Sequence, residues 1–255
     1  MSGIKISAVV ITFNEEKNIA RCIESLLSVA DEIIVLDSYS TDATAEICKR
    51  HGVRFHSEVF EGYGSQKNKA VALATYDYIL SLDADEALSD ELKASILAIK
   101  NNFSSDAFEF NRRTNFCGRW IRYCGWYPDR KIRLWKRDKG GWAPDRVHEV
   151  VQMNSGATVG RLKGDLLHYS FDSLAGLLEK FNSFSTISAE EAYKKGKGVS
   201  FLIHVVLYPF VTFLRVYILR LGFLDGYAGF MVSAAIAISK FAKYSKLYLL
   251  KKDKA

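Results

Sequence analysis

Within the first 82 residues, four short apolar runs alternate with three stretches of helical periodicity, and few architectures accept that order. Residues 4–13 are almost continuously β-branched or apolar, as expected of a strand covered on both faces. Ile19, Cys22, Ile23, Leu26 and Leu27 then recur at spacings of three and four, with Asn14 placed to cap the predicted helix. The unit repeats: a strand over 32–36 before a helix over 42–50, a strand over 53–59 before a helix over 65–74, then a strand over 78–82. Parallel strands need crossover helices, so the alternation predicts an α/β fold built on a doubly wound, mostly parallel sheet. Ligands of such sheets gather at the carboxyl ends of the strands.

Polar residues cluster at those ends: Thr12, Asn14 and Glu15 after the first strand, Asp37 and Ser38 after the second, Asp83 and Asp85 after the fourth. On an extended backbone, residues two apart share a side, so Asp83 and Asp85 suit a divalent cation or a hydrogen-bonded ligand. They equally suit a helix start, because Ser89-Asp90-Glu91 opens one nearby. Three clusters at one sheet edge exceed what capping requires and point to a nucleotide site. No GxGxxG follows the first strand and no GxxxxGK[ST] occurs, which argues against dinucleotide and P-loop chemistry.

After residue 101 the texture changes to short strands, predicted over 108–113, 131–136, 147–151 and 158–161. Between them lie Arg119-Trp120-Ile121-Arg122-Tyr123 and Trp126-Tyr127-Pro128-Asp129-Arg130. Such a stretch serves either sugar stacking with phosphate recognition or an aromatic core with solvated arginines between. Residues 1–170 are read as one domain and 171–255 as a helical C-terminal region.

That region begins with a predicted helix over 172–193, whose Leu174, Leu177, Leu178, Phe181 and Phe184 share a face. Two apolar runs follow, one interrupted by His204 and Pro209, the other containing Asp225 and three glycines, so neither reads as an uninterrupted membrane span. Ala234, Ile238, Phe241 and Tyr248 then share a face from which Lys240, Lys243 and Lys246 stand apart, the pattern of a helix lying in a bilayer interface. From Lys194 onward there are eleven Lys and Arg against Asp225 and Asp253, whereas residues 1–193 hold 24 basic and 27 acidic residues. Positive charge interleaved with long apolar stretches predicts an anionic membrane surface as partner rather than nucleic acid. Cys22, Cys48, Cys117 and Cys124 lack metal-finger spacing and read as reduced core residues of a cytosolic protein. Nothing at the N-terminus resembles a secretory signal.

Together these residues resemble the family 2 glycosyltransferases. The opening strand Ser7-Ala8-Val9-Val10-Ile11-Thr12-Phe13-Asn14-Glu15, the second strand and turn Val35-Leu36-Asp37-Ser38-Tyr39-Ser40-Thr41-Asp42, the basic helix start Gly64-Ser65-Gln66-Lys67-Asn68-Lys69-Ala70 and the Asp83-Ala84-Asp85 metal motif stand in the family's order. Arg130-Lys131-Ile132-Arg133-Leu134-Trp135, Val147-His148-Glu149 and Gly222-Phe223-Leu224-Asp225-Gly226 look most like the branch that adds glucose to the inner core of bacterial lipooligosaccharide.

The resemblance implies a GT-A fold with a small antiparallel extension and C-terminal amphipathic helices. It implies inverting transfer of a hexose from a UDP-sugar donor to a glycolipid acceptor, at the cytoplasmic face of the inner membrane. Thr12, Asn14, Glu15 and Asp37 would hold the nucleotide, with Lys67, Asp83, Arg130 and Arg133 at the phosphates. Asp85, Asp83 and His168 would bind Mg2+ or Mn2+. Glu149 would be the catalytic base, with Asp145 and Asp129 as substitutes; better-known members carry a different acidic arrangement there. His168 alternatively serves as a hydrogen-bonded structural residue, and Glu149 as an ion-pair partner of Arg146 or Arg161. A polyprenyl-phosphate or capsule sugar transferase, or a non-catalytic nucleotide-sugar-binding membrane module, would share most of these features.

Overall fold

The structure, a computed structural model, describes residues 3–143 and 150–252. It divides into two units, one formed by residues 1–112 and 129–169, the other by 113–128 and 170–255.

The first unit is built on β1 (Ile6–Thr12), β2 (Glu32–Asp37), β3 (Arg54–Ser57) and β4 (Tyr78–Asp83), which run parallel in the order β3-β2-β1-β4. The crossovers are α1 (Ile19–Leu26), α2 (Thr44–Arg50) and α3 (Tyr63–Ala72). Both faces of β1 are buried, as its composition predicts: Ile6, Ala8 and Val10 pack with Ile19, Ile23 and Leu26 of α1, while Val9 joins Ala70 and Val71 of α3. The expected alternation is therefore present, with the α/β class it implies.

The sheet continues through β5 (Glu86–Leu88), β6 (Ala107–Phe116), β8 (Asp129–Lys136) and β11 (Val159–Phe171), in the order β4-β8-β6-β11-β5; β7 (Arg119–Trp120) pairs with the end of β6. The β4–β8, β6–β8 and β5–β11 pairings are antiparallel. β9 (Gly140–Trp142) and β10 (Val151–Met153) form a separate hairpin pair. The antiparallel part is larger than expected, because β6 has 10 residues and β11 has 13 where shorter runs were predicted. Polar residues within both strands obscured their length. Helix α4 (Asp90–Ile99) starts at Ser89, whose hydroxyl accepts the Leu92 N–H.

Asn14 does not cap α1, which begins four residues after the expected start of helical chain, at Ile19. Its backbone is left-handed, φ 53°, a conformation that Asn tolerates, and it ties the loops after β1 and β2 together. The Asn14 N–H donates to the Ser40 hydroxyl at 2.8 Å, and its side-chain carbonyl accepts the Thr41 N–H at 2.8 Å.

The second unit holds α5 (Leu174–Lys194), α6 (Tyr208–Leu214) and α7 (Gly226–Lys252). Residues 113–128, assigned by sequence to the first domain, belong here because Phe116, Ile121 and Cys124 bury against Val216, Ala228 and Val232. Of the face expected on α5, Leu177 is buried and Leu178 and Phe181 are partly so, but Leu174 and Phe184 are exposed. Cys22, Cys48 and Cys124 are buried as expected, whereas Cys117 is exposed.

His204 and Pro209 do not interrupt their run. The chain is helical from Phe201 to Leu219, with α6 flanked by π-helical turns. Pro209 falls at the start of α6, where its missing N–H costs least, and the His204 ring accepts the Ser200 N–H at 2.9 Å. By length and composition this helix and the stretch Gly222–Lys252, whose most apolar 18-residue windows have mean hydropathies of 1.9 and 1.3, are each long and apolar enough to cross a membrane. Lys246 is not a free surface charge; its ammonium donates to Asn182, Ser185 and Thr186, stapling α7 to α5.

Glu32 joins three strands of the parallel half. Burial would raise its pKa, but the Ser7 hydroxyl (2.6 Å), the Thr75 N–H (2.9 Å) and hydroxyl (2.7 Å), and Arg54 bring it down to about 2. The folded value lies below the ordinary 4.5, so this stabilisation is complete above that pH and is lost as pH falls toward 2. Glu32→Gln is expected to cost ~2 kcal/mol at neutral pH and to flatten the acid limb of the stability curve. Urea denaturation across a pH series checks both.

Candidate active site

The parallel register aligns the ends of three strands. Thr12 lies opposite Asp37, and Ile11 opposite Asp83, so the polar residues that follow β1, β2 and β4 share one edge. Asp37 is 2% exposed, and its carboxylate accepts both the N–H and the hydroxyl of Ser40. The Glu15 N–H donates to the Thr44 hydroxyl at 2.9 Å and its carboxylate accepts from Asn18 at 2.8 Å. Two buried oxygens at this edge have no hydrogen-bond partner among the described residues: the Thr12 hydroxyl and the side-chain carbonyl of Gln66. Gln66 is fully buried, its amide reaching the Ser38 hydroxyl at 3.2 Å. Unmade hydrogen bonds on buried groups are costly, and such groups in a cleft suit a polar ligand.

β4 ends at Asp83 and the chain turns through Ala84 and Asp85 into β5, so the extended backbone assumed from sequence does not reach Asp85, and the two carboxylates take different partners. Asp83 lies between two buried cations, with Lys67 Nζ 2.7 Å from one oxygen and an Arg133 nitrogen 3.1 Å from the other. Lys67 and Arg133 are 2% and 3% exposed. Both cations also lie near the Trp142 ring, 4.3 and 5.0 Å from its centroid. Asn68 fixes that ring's backbone, donating to the Trp142 carbonyl at 2.9 Å and accepting its N–H at 3.2 Å.

Arg133 further donates to Glu86 at 2.9 Å, and Glu86, 1% exposed, accepts the Asp83 N–H at 3.0 Å. Arg112 continues the chain of charge, 3.5 Å from Glu86 and 2.8 Å from Asp129, which also pairs with Lys131. Burial alone would push the Asp83 pKa up; Lys67 and Arg133 outweigh it and hold the carboxyl well below the usual range. The neighbouring Cys22 thiol is raised by burial and by Glu86, Asp85 and Asp83.

Asp85 has a different companion. β5 pairs with β11 so that Glu86 lies opposite His168, and the Tyr169 N–H donates to the Asp85 carbonyl at 2.8 Å. The Asp85 carboxylate thereby comes within 3.1 Å of His168 Nε2, both side chains partly accessible. His168 is inside a long strand rather than at the strand end that the sequence suggested. No group of three or more His, Cys, Asp or Glu side chains arranged for a metal occurs among the described residues. The Asp85 carboxylate suits a hard cation completed by substrate oxygens, as Mg2+ is usually held, with the His168 nitrogen beside it as a softer donor.

The Arg130 side chain is exposed, with no hydrogen bond or ion pair among the described residues. Glu149 and Asp145 lie outside the described residues. Arg161, weighed as a partner for Glu149, pairs with Glu109 at 2.8 Å. Sequence reasoning missed Gln66, Glu86, Arg112 and Trp142. Glu86 had a visible signal, a third carboxylate directly after the Asp83-Ala84-Asp85 motif, and Gln66 stands directly before Lys67 on α3; Arg112 and Trp142 are strand residues far from them in sequence.

Residues 7–154 match the family model described as glycosyl transferase family 2. An uncharacterized glycosyltransferase of Rickettsia typhi is 32% identical over 253 residues, covering 95% of this chain and 86% of its relative. The lipopolysaccharide core biosynthesis glycosyltransferase LpsC of Rhizobium meliloti is 30% identical, over 96% of this chain and 92% of its own length. Among solved structures, glucosyl-3-phosphoglycerate synthase of Mycobacterium tuberculosis with Mn2+, UDP and glucosyl-3-phosphoglycerate gives a TM-score of 0.38 at 25% identity, over 44% of this chain and 45% of that one. TarS 1–349 of S. aureus gives 0.47 at 16% identity, over 98% and 92%.

The buried charges make a sharp stability test. Arg133→Met leaves Asp83 and Glu86 with too little compensation and is expected to lower unfolding free energy by ~3 kcal/mol, the usual cost of removing one partner from a buried pair. Urea denaturation of the variant measures it.

Proposed function

The chain belongs to glycosyltransferase family 2, and from that premise we propose that it moves a hexose, glucose from UDP-glucose, onto a hydroxyl of a membrane-embedded glycolipid with inversion at the anomeric carbon. The observation that carries this reading is the Asp85–His168 pair, 3.1 Å apart beside the cation-clamped Asp83. The lipopolysaccharide role of the Rhizobium relative supports an inner-core glycolipid as the acceptor.

Asp85 and His168 would hold Mg2+ or Mn2+, which would supply positive charge against the donor's pyrophosphate and departing UDP. In this reading Asp83 stays outside the metal's ligand shell, because its two carboxylate oxygens pair with Lys67 and Arg133. Those cations fix the end of β4 and hence the start of the turn on which Asp85 sits, while contributing positive charge close to the phosphates. Asp37, the Thr12 hydroxyl and the Gln66 carbonyl face the uridine, where a carboxylate or carbonyl accepts a base N–H or a ribose hydroxyl. Arg130, whose side chain has no ion pair among the described residues, is available to the phosphates.

The acceptor hydroxyl attacks the anomeric carbon from the face opposite UDP, its new C–O bond forming as the bond to the phosphate oxygen breaks. Glu149 takes the hydroxyl proton, an assignment that rests on the sequence resemblance. General-base help is worth about 10²- to 10⁴-fold, so Glu149→Gln is expected to keep donor binding and lose turnover by that factor. Steady-state kinetics with lipid-linked acceptor measures the loss; an unchanged rate overturns the assignment.

The C-terminal helices, exposed and apolar, and the basic charge of the tail support attachment to the cytoplasmic face of the inner membrane. An enzyme held there meets a lipid-linked acceptor by searching a surface rather than a volume.

The donor reading is tested by thermal shift with a panel of nucleotide sugars, with and without Mn2+, since a ligand that binds only the folded state raises Tm. A shift selective for UDP-glucose and dependent on Mn2+, absent in His168→Ala, is expected. Equal response to every nucleotide sugar, or indifference to metal, would contradict it.

A further inference from the structure

The turn between the two long apolar helical stretches does not simply connect them. Leu221 and Gly226 take left-handed backbone conformations, φ 55° and 63°, and Gly222 and Gly229 meet so closely that a Cβ on Gly229 would lie 1.8 Å from the Gly222 carbonyl oxygen. Asp225, in this turn, points its carboxylate at the loop formed by residues 119–125. It accepts the Tyr123 N–H at 2.8 Å and the Arg122 N–H at 3.2 Å. The loop answers with the Cys124 N–H, which donates to the Arg220 carbonyl at 3.2 Å.

This joint concentrates positive charge. Arg220 packs against Gly125, the Arg119 guanidinium stands 4.9 Å from the centre of the Tyr227 ring, and Arg122 is held through its backbone. All three are exposed, and none has a carboxylate partner among the described residues. The one acid at the joint, Asp225, is spent on backbone N–H groups. Around the arginines the surface is apolar: Leu219 is 76% exposed, Leu224 53% and Phe223 46%. Guanidinium groups without a carboxylate partner among the described residues, set beside exposed apolar side chains, complement a surface whose outer layer is phosphate and whose inner layer is hydrocarbon.

We infer that this turn, with the loop that Asp225 ties to it, is an insertion tip that reads anionic phospholipid headgroups: Arg119, Arg122 and Arg220 bind phosphate while Leu219, Phe223 and Leu224 enter the acyl boundary. The inference rests on the membrane attachment proposed above and locates its charge-reading part on the arginines rather than on the lysines of α7. Asp225 is a positioning residue, setting Arg122 beside Arg220 without touching lipid.

The test is co-flotation of the full chain with vesicles of phosphatidylcholine alone or mixed with phosphatidylglycerol. Each basic residue near an anionic surface is worth roughly a few-fold in partition, so the triple variant Arg119→Gln, Arg122→Gln, Arg220→Gln is expected to bind the mixed vesicles ~10- to 100-fold more weakly. Its binding to phosphatidylcholine alone is expected to hold, and Arg→Lys at the same three positions to restore most of the loss. Arg122→Gln alone, at an exposed side chain, is expected to give a several-fold loss and does not depend on the triple variant folding. The double variant Lys240→Gln, Lys243→Gln is expected to matter less than the triple. Undiminished binding of the arginine variants to the mixed vesicles, or a loss equal on both vesicle types, overturns the inference. Failure of the wild-type chain to float with either vesicle would sink the membrane reading itself.

Discussion

A buried carboxylate between two buried cations is the constraint on which the first unit's site depends. Asp83 ends the strand beside β1 and is held by Lys67 of α3 and Arg133 of β8, so one side chain joins the parallel and antiparallel parts of the sheet. Buried ion pairs rarely add net stability, because desolvation offsets attraction. This one fixes geometry instead. With both oxygens of Asp83 occupied, the chain turns out of β4 in a defined direction, and the turn delivers Asp85 to His168. Three elements distant in sequence thereby set the relation of Asp85 to His168.

Much of the parallel half was legible in the sequence because its strands are buried on both faces and its helices carry apolar residues at spacings of three and four. The edge at which Thr12, Asp37 and Asp83 meet followed from that topology alone. Less visible was everything set by long-range antiparallel pairing. The 13-residue β11 contains Arg161, Lys163, Asp165 and His168, and no local signal marks so polar a segment as one strand. The sharing of duties between Asp83 and Asp85 was hidden for a related reason: spacing says that two carboxylates are near in the chain, not which buried cations will claim one of them.

The C-terminal unit teaches the same lesson at its helices. His204 and Pro209 look like interruptions, yet the ring accepts a backbone N–H and the proline falls at a helical start, so the chain stays helical through both. Lys246, indistinguishable by sequence from Lys240 and Lys243, is consumed by α5. Conversely, the arginines of residues 119–122 lie about a hundred positions from Asp225, and only the fold reveals them as parts of one joint.

In the proposed site Asp85 and His168 are the metal ligands, and pulsed EPR of Mn2+ bound together with UDP addresses that directly. One histidine 14N coupling is predicted, present in the wild-type protein and gone in His168→Gln. A spectrum without nitrogen coupling, or one that His168→Gln leaves unchanged, would contradict the assignment of Asp85 and His168 as the ligand pair.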